Sequence, residues 1–272
     1  MNLSPEHPLL LVGAGKMGGA MLQGWLDHGH DPNAIVVSDP NPSDDMVGLF
    51  KNRGVRLVEK AELAPTPAVA LIAVKPQIMR LVLDSVASTV SRETLVLSIA
   101  AGTPIAAFEE AFGDVPVVRA MPNTPAQVKR GITAAVGNSH VQDDHVAVVT
   151  ELLSAIGTVI WVEREDQIDL VTAVSGSGPA YVFLLAECLA EAGRRAGLPA
   201  DVAIKLARHT VSGAGELMHQ SDLSADVLRK NVTSPGGTTA AALDVLMAEG
   251  GLQKLMDEAI LSAARRAAEL AD

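Results

Sequence analysis

A chain of 272 residues is long enough to bury one large core or two modest ones, which makes two domains the natural expectation. Hydrophobic residues make up 48% and charged residues 19%, a globular composition that argues against disorder, and with only 3% aromatics the interior falls to Ala, Val and Leu. The formal charge of −11 argues against a nucleic-acid backbone or an anionic membrane as the main partner, since both would be repelled, but leaves room for a local small-anion site.

The opening stretch MNLSPEHPLLLVGAG lacks a basic n-region and runs straight into a strand, so no secretory or transit peptide is expected. No uninterrupted apolar stretch approaches the roughly 20 residues of a membrane span, and the expected location is the cytoplasm. The single cysteine, Cys188, rules out an intramolecular disulfide and fits a reducing compartment. Set in AYVFLLAECLAEAG, it reads as a packing residue rather than a reactive thiol.

Short β-branched runs then alternate with helical ones, the pattern of a parallel sheet covered by helices. Strands are expected at 9–12, 35–39, 55–58, 69–74, 95–99, 115–120, 132–136 and 158–162. Nearly all are apolar on both faces, as strands buried between two helical layers should be. The helical segment QIMRLVLDSVASTV follows Pro76, whose missing N–H costs nothing in a first turn. After the charged stretch EREDQID (163–169) the strand signals cease. Six segments from there on carry apolar residues at three- and four-residue spacing, so a helical region follows and the boundary falls near Glu163.

In LLLVGAGKMGGAMLQGWL, Gly13, Gly15 and Gly18 form G-x-G-x-x-G between a strand and a helix. The first glycine permits a tight turn, the second lets backbone N–H groups approach a pyrophosphate, and the third lets helix and strand pack closely. Dinucleotide contacts are expected from Val12, Gly13, Ala14, Gly15, Lys16, Met17 and Gly18. Asp39 closes the second strand, where a carboxylate can accept hydrogen bonds from a ribose and repel a 2′-phosphate, which points to NADH. In SDPNPS the same residue could simply form the turn.

Ligands in open α/β sheets bind at the carboxyl ends of the strands. That rule adds Ala73, Val74, Lys75 and Pro76 in AVKPQ, and Ile99, Ala100 and Ala101 in SIAAGTP, to the expected cofactor contacts. Lys75 reads otherwise as a solvated lysine before a helix-starting proline. In MPNTP two prolines fix the backbone around Asn123, which becomes either a rigid amide for the cofactor or a structural turn.

Two stretches stand out in the helical half. SGSGPAYVF interrupts a helix with two glycines and restarts it at Pro179. TSPGGTTAAALDVL puts two glycines at a helix N-terminus, where free N–H groups and the positive dipole end favour an anion such as a carboxylate.

Together these residues resemble the pyrroline-5-carboxylate reductase family. GAGKMG, AVKPQ, SIAAG, RAMPNTPAQVKRG, SGSGPAYVF and NVTSPGGTTAAALDVL occur in order along nearly the whole chain, and the last is the family's own motif, with Thr233, Ser234, Gly237 and Thr239 on its fixed positions. The resemblance implies a Rossmann-type α/β NAD(P)-binding domain over 1–163 and an all-α substrate-binding and dimerisation domain over 164–272. NAD(P)H would reduce the C=N bond of 1-pyrroline-5-carboxylate to L-proline, with no metal. Thr239 is the expected catalytic hydroxyl, set against the imine nitrogen, although a helix-capping role is open to it as well. Ser234 and the backbone of Gly236, Gly237 and Thr238 are expected to hold the substrate carboxylate. The resemblance also implies a homodimer or higher homo-oligomer in which the substrate loop of one subunit completes the cofactor site of the other. Many family members favour NADPH and carry a polar or basic turn where this chain has Asp39, so the cofactor is written NAD(P)H.

Two other readings share parts of this pattern. A β-hydroxyacid-dehydrogenase-like oxidoreductase has a similar plan but places a catalytic lysine after its Gly-rich interdomain motif, where SGSGPAYVFLLAE offers Tyr181 and no lysine. A non-catalytic dinucleotide-binding protein needs an output surface such as a basic recognition helix, which this acidic chain lacks.

Overall fold

The computed structural model describes residues 3–271; Met1, Asn2 and Asp272, the last residue of the final expected helix, lie outside the described residues. The chain forms two compact units, one running up to Gly176 together with the chain end from Ala264, the other Ser177–Ala263.

All eight expected strands form in the first unit: β1 Leu9–Val12, β2 Ile35–Ser38, β3 Arg56–Val58, β4 Val69–Ile72, β5 Leu95–Ser98, β6 Val117–Met121, β7 Gly131–Gly137 and β8 Gly157–Trp161. They make one sheet in the order β3-β2-β1-β4-β5-β6-β7-β8. The first six run parallel in the doubly wound order, with the change of direction between β1 and β4. β7 departs from the all-parallel expectation by pairing antiparallel with β6. Only the short 3-10 turn Thr124–Val128 joins these two strands, and a parallel return needs a crossover of about a dozen residues or more. The helix α5 Asp143–Ser154 supplies such a crossover between β7 and β8, which are parallel.

Helices cover both faces. On one face α1 Lys16–Asp27, α2 Asp44–Arg53 and α5 bury Met21, Leu22, Trp25, Phe50, Leu152 and Leu153. The Trp25 indole donates to the Leu152 carbonyl at 2.8 Å, so the largest buried side chain is also hydrogen-bonded. On the other face α3 Met79–Ala87, α4 Ile105–Phe112 and α6 Gln167–Val171 contribute Leu83, Val86, Ile105, Phe108 and Ile168. The helix expected after Pro76 begins as a 3-10 turn, Pro76–Ile78, with proline in its first turn. Because α6 packs on this face, the division into compact units falls at Gly176, after a π-turn Thr172–Gly176, although strands already end at Trp161.

The second unit is helical: α7 Gly178–Arg195, α8 Ala200–His219, α9 Ala225–Asn231, α10 Thr238–Leu246 and the first turns of α11 Leu252–Ala271. Its helices carry more apolar surface than the unit itself covers, and Phe183, Leu184, Leu185, Leu206, Leu217 and Leu261 are exposed. Cys188 lies on this uncovered surface of α7, which corrects the packing role expected for it. By length and composition alone the stretch Gln167–Arg195, which is helical but for Ser177, could cross a membrane, which its broken apolar pattern did not suggest.

Candidate active site

The glycine loop has the geometry its spacing requires. Gly13 adopts φ +93°, its N–H donates to the Ser38 carbonyl at 2.9 Å, and a Cβ there would lie 2.9 Å from the Ala73 carbonyl oxygen. Gly15 caps α1 in an extended conformation, and a Cβ built on it would meet no atom within 4 Å. Gly18 packs so closely on the Gly13 carbonyl that any side chain would collide with it. Gly15 and Lys16 are exposed while Ala14 is buried, so the open side of the loop is the helix N-terminus. Its first N–H groups, those of Lys16, Met17 and Gly18, have no carbonyl partner within the helix and fit a pyrophosphate.

Asp39 stands just past β2 and links this loop to its own turn. One carboxylate oxygen accepts the Ala14 N–H at 2.8 Å and the other the Asn41 N–H at 2.9 Å. The turn-forming role is thus real, and each oxygen keeps a second lone pair for a ribose hydroxyl.

The remaining loops leave the same edge of the sheet. Ala73 and Val74 are half-buried after β4, with the Ala73 N–H donating to the Val12 carbonyl at 2.8 Å; Lys75 and Pro76 are exposed. At the end of β5, Ser98 is fully buried and its Oγ accepts the Ala100 N–H at 3.2 Å, which shapes the turn carrying Ile99 and Ala101. After β6, Asn123 is nearly buried, and both ends of its amide have protein partners. Its Oδ1 accepts the Ile132 N–H at 3.0 Å and its Nδ2 donates to the Ser175 carbonyl at 3.2 Å. The structural alternative for Asn123 is therefore realised, with only the remaining amide hydrogen and lone pair open to a ligand.

Ser234, Gly236, Gly237, Thr238 and Thr239 lie together in the second unit. Gly236 takes φ +68°, the Gly237 N–H closes a turn onto the Ser234 carbonyl at 3.0 Å, and Gly237 is the N-cap of α10. Thr239 is thus the second residue of the helix and no side chain caps it, so the capping role open to Thr239 is not taken up. The Gly237 N–H is already used, which leaves those of Thr238, Thr239 and Ala240 as the first-turn donors for an anion. Thr239 is half-buried, whereas Ser234 and Thr238 are exposed.

Sequence patterns did not single out Arg119 or Glu165. Arg119 is a buried cation on β6 and pairs with Glu165 at 3.0 Å and Asp169 at 3.5 Å. The available signal was an arginine inside the apolar run VPVVRA. Among the described residues no group of three His, Cys, Asp or Glu is placed to hold a metal.

A glycine loop at the switch point of a doubly wound sheet defines a Rossmann-type dinucleotide-binding protein. Residues 9–102 match the family model described as "NADP oxidoreductase coenzyme F420-dependent", and residues 165–270 match "Pyrroline-5-carboxylate reductase dimerisation". A pyrroline-5-carboxylate reductase of Pseudomonas aeruginosa is 38% identical over 266 residues, covering 97% of this chain and 97% of that one. The solved pyrroline-5-carboxylate reductase of Coxiella burnetii matches with a TM-score of 0.90 at 36% identity, over 98% of this chain and 99% of that one. The Plasmodium falciparum pyrroline carboxylate reductase, solved with NADP bound, matches at 0.80 and 27% identity over 98% and 99%. The chain belongs to the pyrroline-5-carboxylate reductase family, NAD(P)H-dependent oxidoreductases acting on CH–NH groups.

Proposed function

We propose that this protein reduces the C=N bond of 1-pyrroline-5-carboxylate to give L-proline, the last step of proline biosynthesis, in the cytoplasm. The observation that carries this reading is the Thr-Ser-Pro-Gly-Gly-Thr-Thr turn, built as an open helix N-terminus in a chain that matches these reductases end to end. A nicotinamide held there would supply the hydride for the imine carbon. The chain's own part is to bind and orient. N–H groups of Lys16, Met17 and Gly18 would hold the pyrophosphate, the loops 73–76 and 99–101 with Asn123 would contact the cofactor, and Asp39 would receive the ribose hydroxyls. Because Asp39 also repels a 2′-phosphate, NADH is the preferred donor.

On the substrate side, the N–H groups of Thr238 and Thr239 and the Ser234 hydroxyl hold the carboxylate, with Gly236 and Gly237 shaping the turn. The Thr239 hydroxyl hydrogen-bonds the ring nitrogen. Donors fixed in this way act by position, and no strong acid is needed if the imine arrives protonated. We assign the NAD(P)-binding role to 1–163 and the substrate-binding and dimerisation role to 164–272. The exposed Val182, Leu185 and Leu189 fall on one side of α7 at i, i+3 and i+7 and supply an apolar face suited to a second copy, so a homodimer or larger homo-oligomer is the working form.

The test is consumption of NADH and of NADPH, followed by absorbance, with pyrroline-5-carboxylate as substrate and proline as the identified product. A folded sample that binds the dinucleotide yet turns over neither cofactor would refute the assignment.

A further inference from the structure

The loop between β5 and α4 leads into a helix with no cap of its own, since Pro104 occupies the N-cap position and no nearby side chain bonds the first turn. The missing acceptor comes from sixty residues downstream. One Glu165 oxygen accepts the Ile105 N–H at 2.8 Å and also takes the Arg119 guanidinium at 3.0 Å. Arg119 is 4% exposed and stands in register with Ser98, the residue at the other end of the loop. A carboxylate at a helix N-terminus is stabilised by the dipole, and a buried guanidinium confines that carboxylate to one position. Asp169 is the second partner of Arg119, at 3.5 Å, but makes no bond to the loop.

We infer that Glu165 is a positioning residue for the dinucleotide loop 99–103. The Arg119–Glu165–Ile105 chain fixes the end of α4 and so holds the loop in its binding shape before the ligand arrives. The inference rests on the proposed dinucleotide role of this loop. Its signature is an effect on dinucleotide affinity that is separate from turnover and from general stability.

The experiment compares Glu165→Ala, Glu165→Gln and Asp169→Asn by calorimetric titration with NADH and NADPH, steady-state kinetics and thermal unfolding. Losing a charge-assisted bond that orders the loop should raise the dinucleotide Kd and KM of Glu165→Ala by about ten-fold, with kcat within about two-fold of wild type. Glu165→Gln, whose amide oxygen can still accept the Ile105 N–H, should recover most of the affinity. Asp169→Asn should lower the Tm and leave the Kd unchanged. Wild-type affinity in Glu165→Ala, or an equal loss in Asp169→Asn, overturns the inference. Exchange of the Ile105 amide provides a readout that needs neither a stable variant nor a ligand: it should be slow in the free wild-type protein, and fast exchange there also overturns the inference. If the wild type binds no dinucleotide while the Ile105 amide stays protected, the dinucleotide reading fails and the positioning by Glu165 stands.

Discussion

Gly15→Ala separates the ligand role of the glycine loop from its structural role. Gly15 has φ −67° and ψ −165°, which alanine adopts freely, and the new methyl would meet no atom within 4 Å. The cost to folding is that of replacing a glycine N-cap by alanine, about 0.5 kcal/mol, or roughly 1–2 °C in Tm for a chain of this size. The methyl would, however, fill the space through which a pyrophosphate approaches the N–H groups of α1. Displacing one charge-assisted bond costs about 1.5–3 kcal/mol, equivalent to a Kd for the dinucleotide roughly 10- to 100-fold weaker. Gly18→Ala is the counterpart: its methyl would collide with the Gly13 carbonyl and sit 3.3 Å from the Ala73 Cβ. Overpacking of this kind costs about 1–3 kcal/mol, so stability should fall clearly. Thermal unfolding and calorimetric titration of both variants decide. Unchanged dinucleotide affinity in Gly15→Ala, or a Tm loss as large as that of Gly18→Ala, would refute the reading of this loop.

Asp39→Ser should shift kcat/KM from NADH towards NADPH and, by releasing the Ala14 N–H, lower stability by about 1 kcal/mol; an unchanged NADPH preference in both proteins removes the selectivity role from Asp39. Asp27 is held below the usual carboxylate range by its hydrogen bond from Lys129 and then by that from Arg53. A carboxyl lowered in the folded state adds stability above its unfolded pKa and loses it as pH falls through the folded pKa. The stability gap between wild type and Asp27→Asn should therefore be present at neutral pH, at less than about 1 kcal/mol for such an exposed cluster, and close in acid. A gap in denaturant-unfolding free energy that widens in acid contradicts the assignment.

Strand positions were legible because each buried strand of the sheet is a short apolar run bounded by loops, and their ends shifted by only a residue or two. The direction of β7 was not, because a strand's apolar pattern is the same whichever way it runs; only the short link through Thr124–Val128 fixes it. The glycine loop was readable from spacing because three backbone approaches each exclude a side chain, and the fold meets those limits at Gly13 and Gly18. Asn123 and Asp39 show where spacing runs out. Both stand at strand ends, and each has a partner far off in sequence that spacing does not announce, Ser175 for Asn123 and Ala14 for Asp39. Cys188 was misplaced for a related reason, since an apolar helix in sequence does not reveal how much of its surface its own chain covers.

The source of the proton in the proposed reaction is a further point that can be tested. Asp27, Asp166, Glu191 and Asp226 are carboxyls with displaced pKa values, and all are displaced downward by basic neighbours. Glu191, beside Arg194 and Arg195, falls to about 2. A proton donor working near neutrality needs the opposite shift. The turn proposed to bind substrate contributes the hydroxyls of Ser234, Thr238 and Thr239 and the first-turn N–H groups of Thr238 and Thr239, none of which titrates near neutral pH. In the reading proposed above the imine arrives protonated, and the acid limb of activity is expected to follow the substrate. Thr239→Ala should lower kcat by about 10- to 100-fold, in the range of one lost transition-state hydrogen bond, with dinucleotide affinity nearly intact. Its pH profile should keep the wild-type shape at a lower level. The check is kcat/KM for the imine across pH in both proteins: a shifted acid limb in Thr239→Ala would mean that the enzyme supplies the proton through this residue, and loss of dinucleotide binding would return Thr239 to a purely structural role.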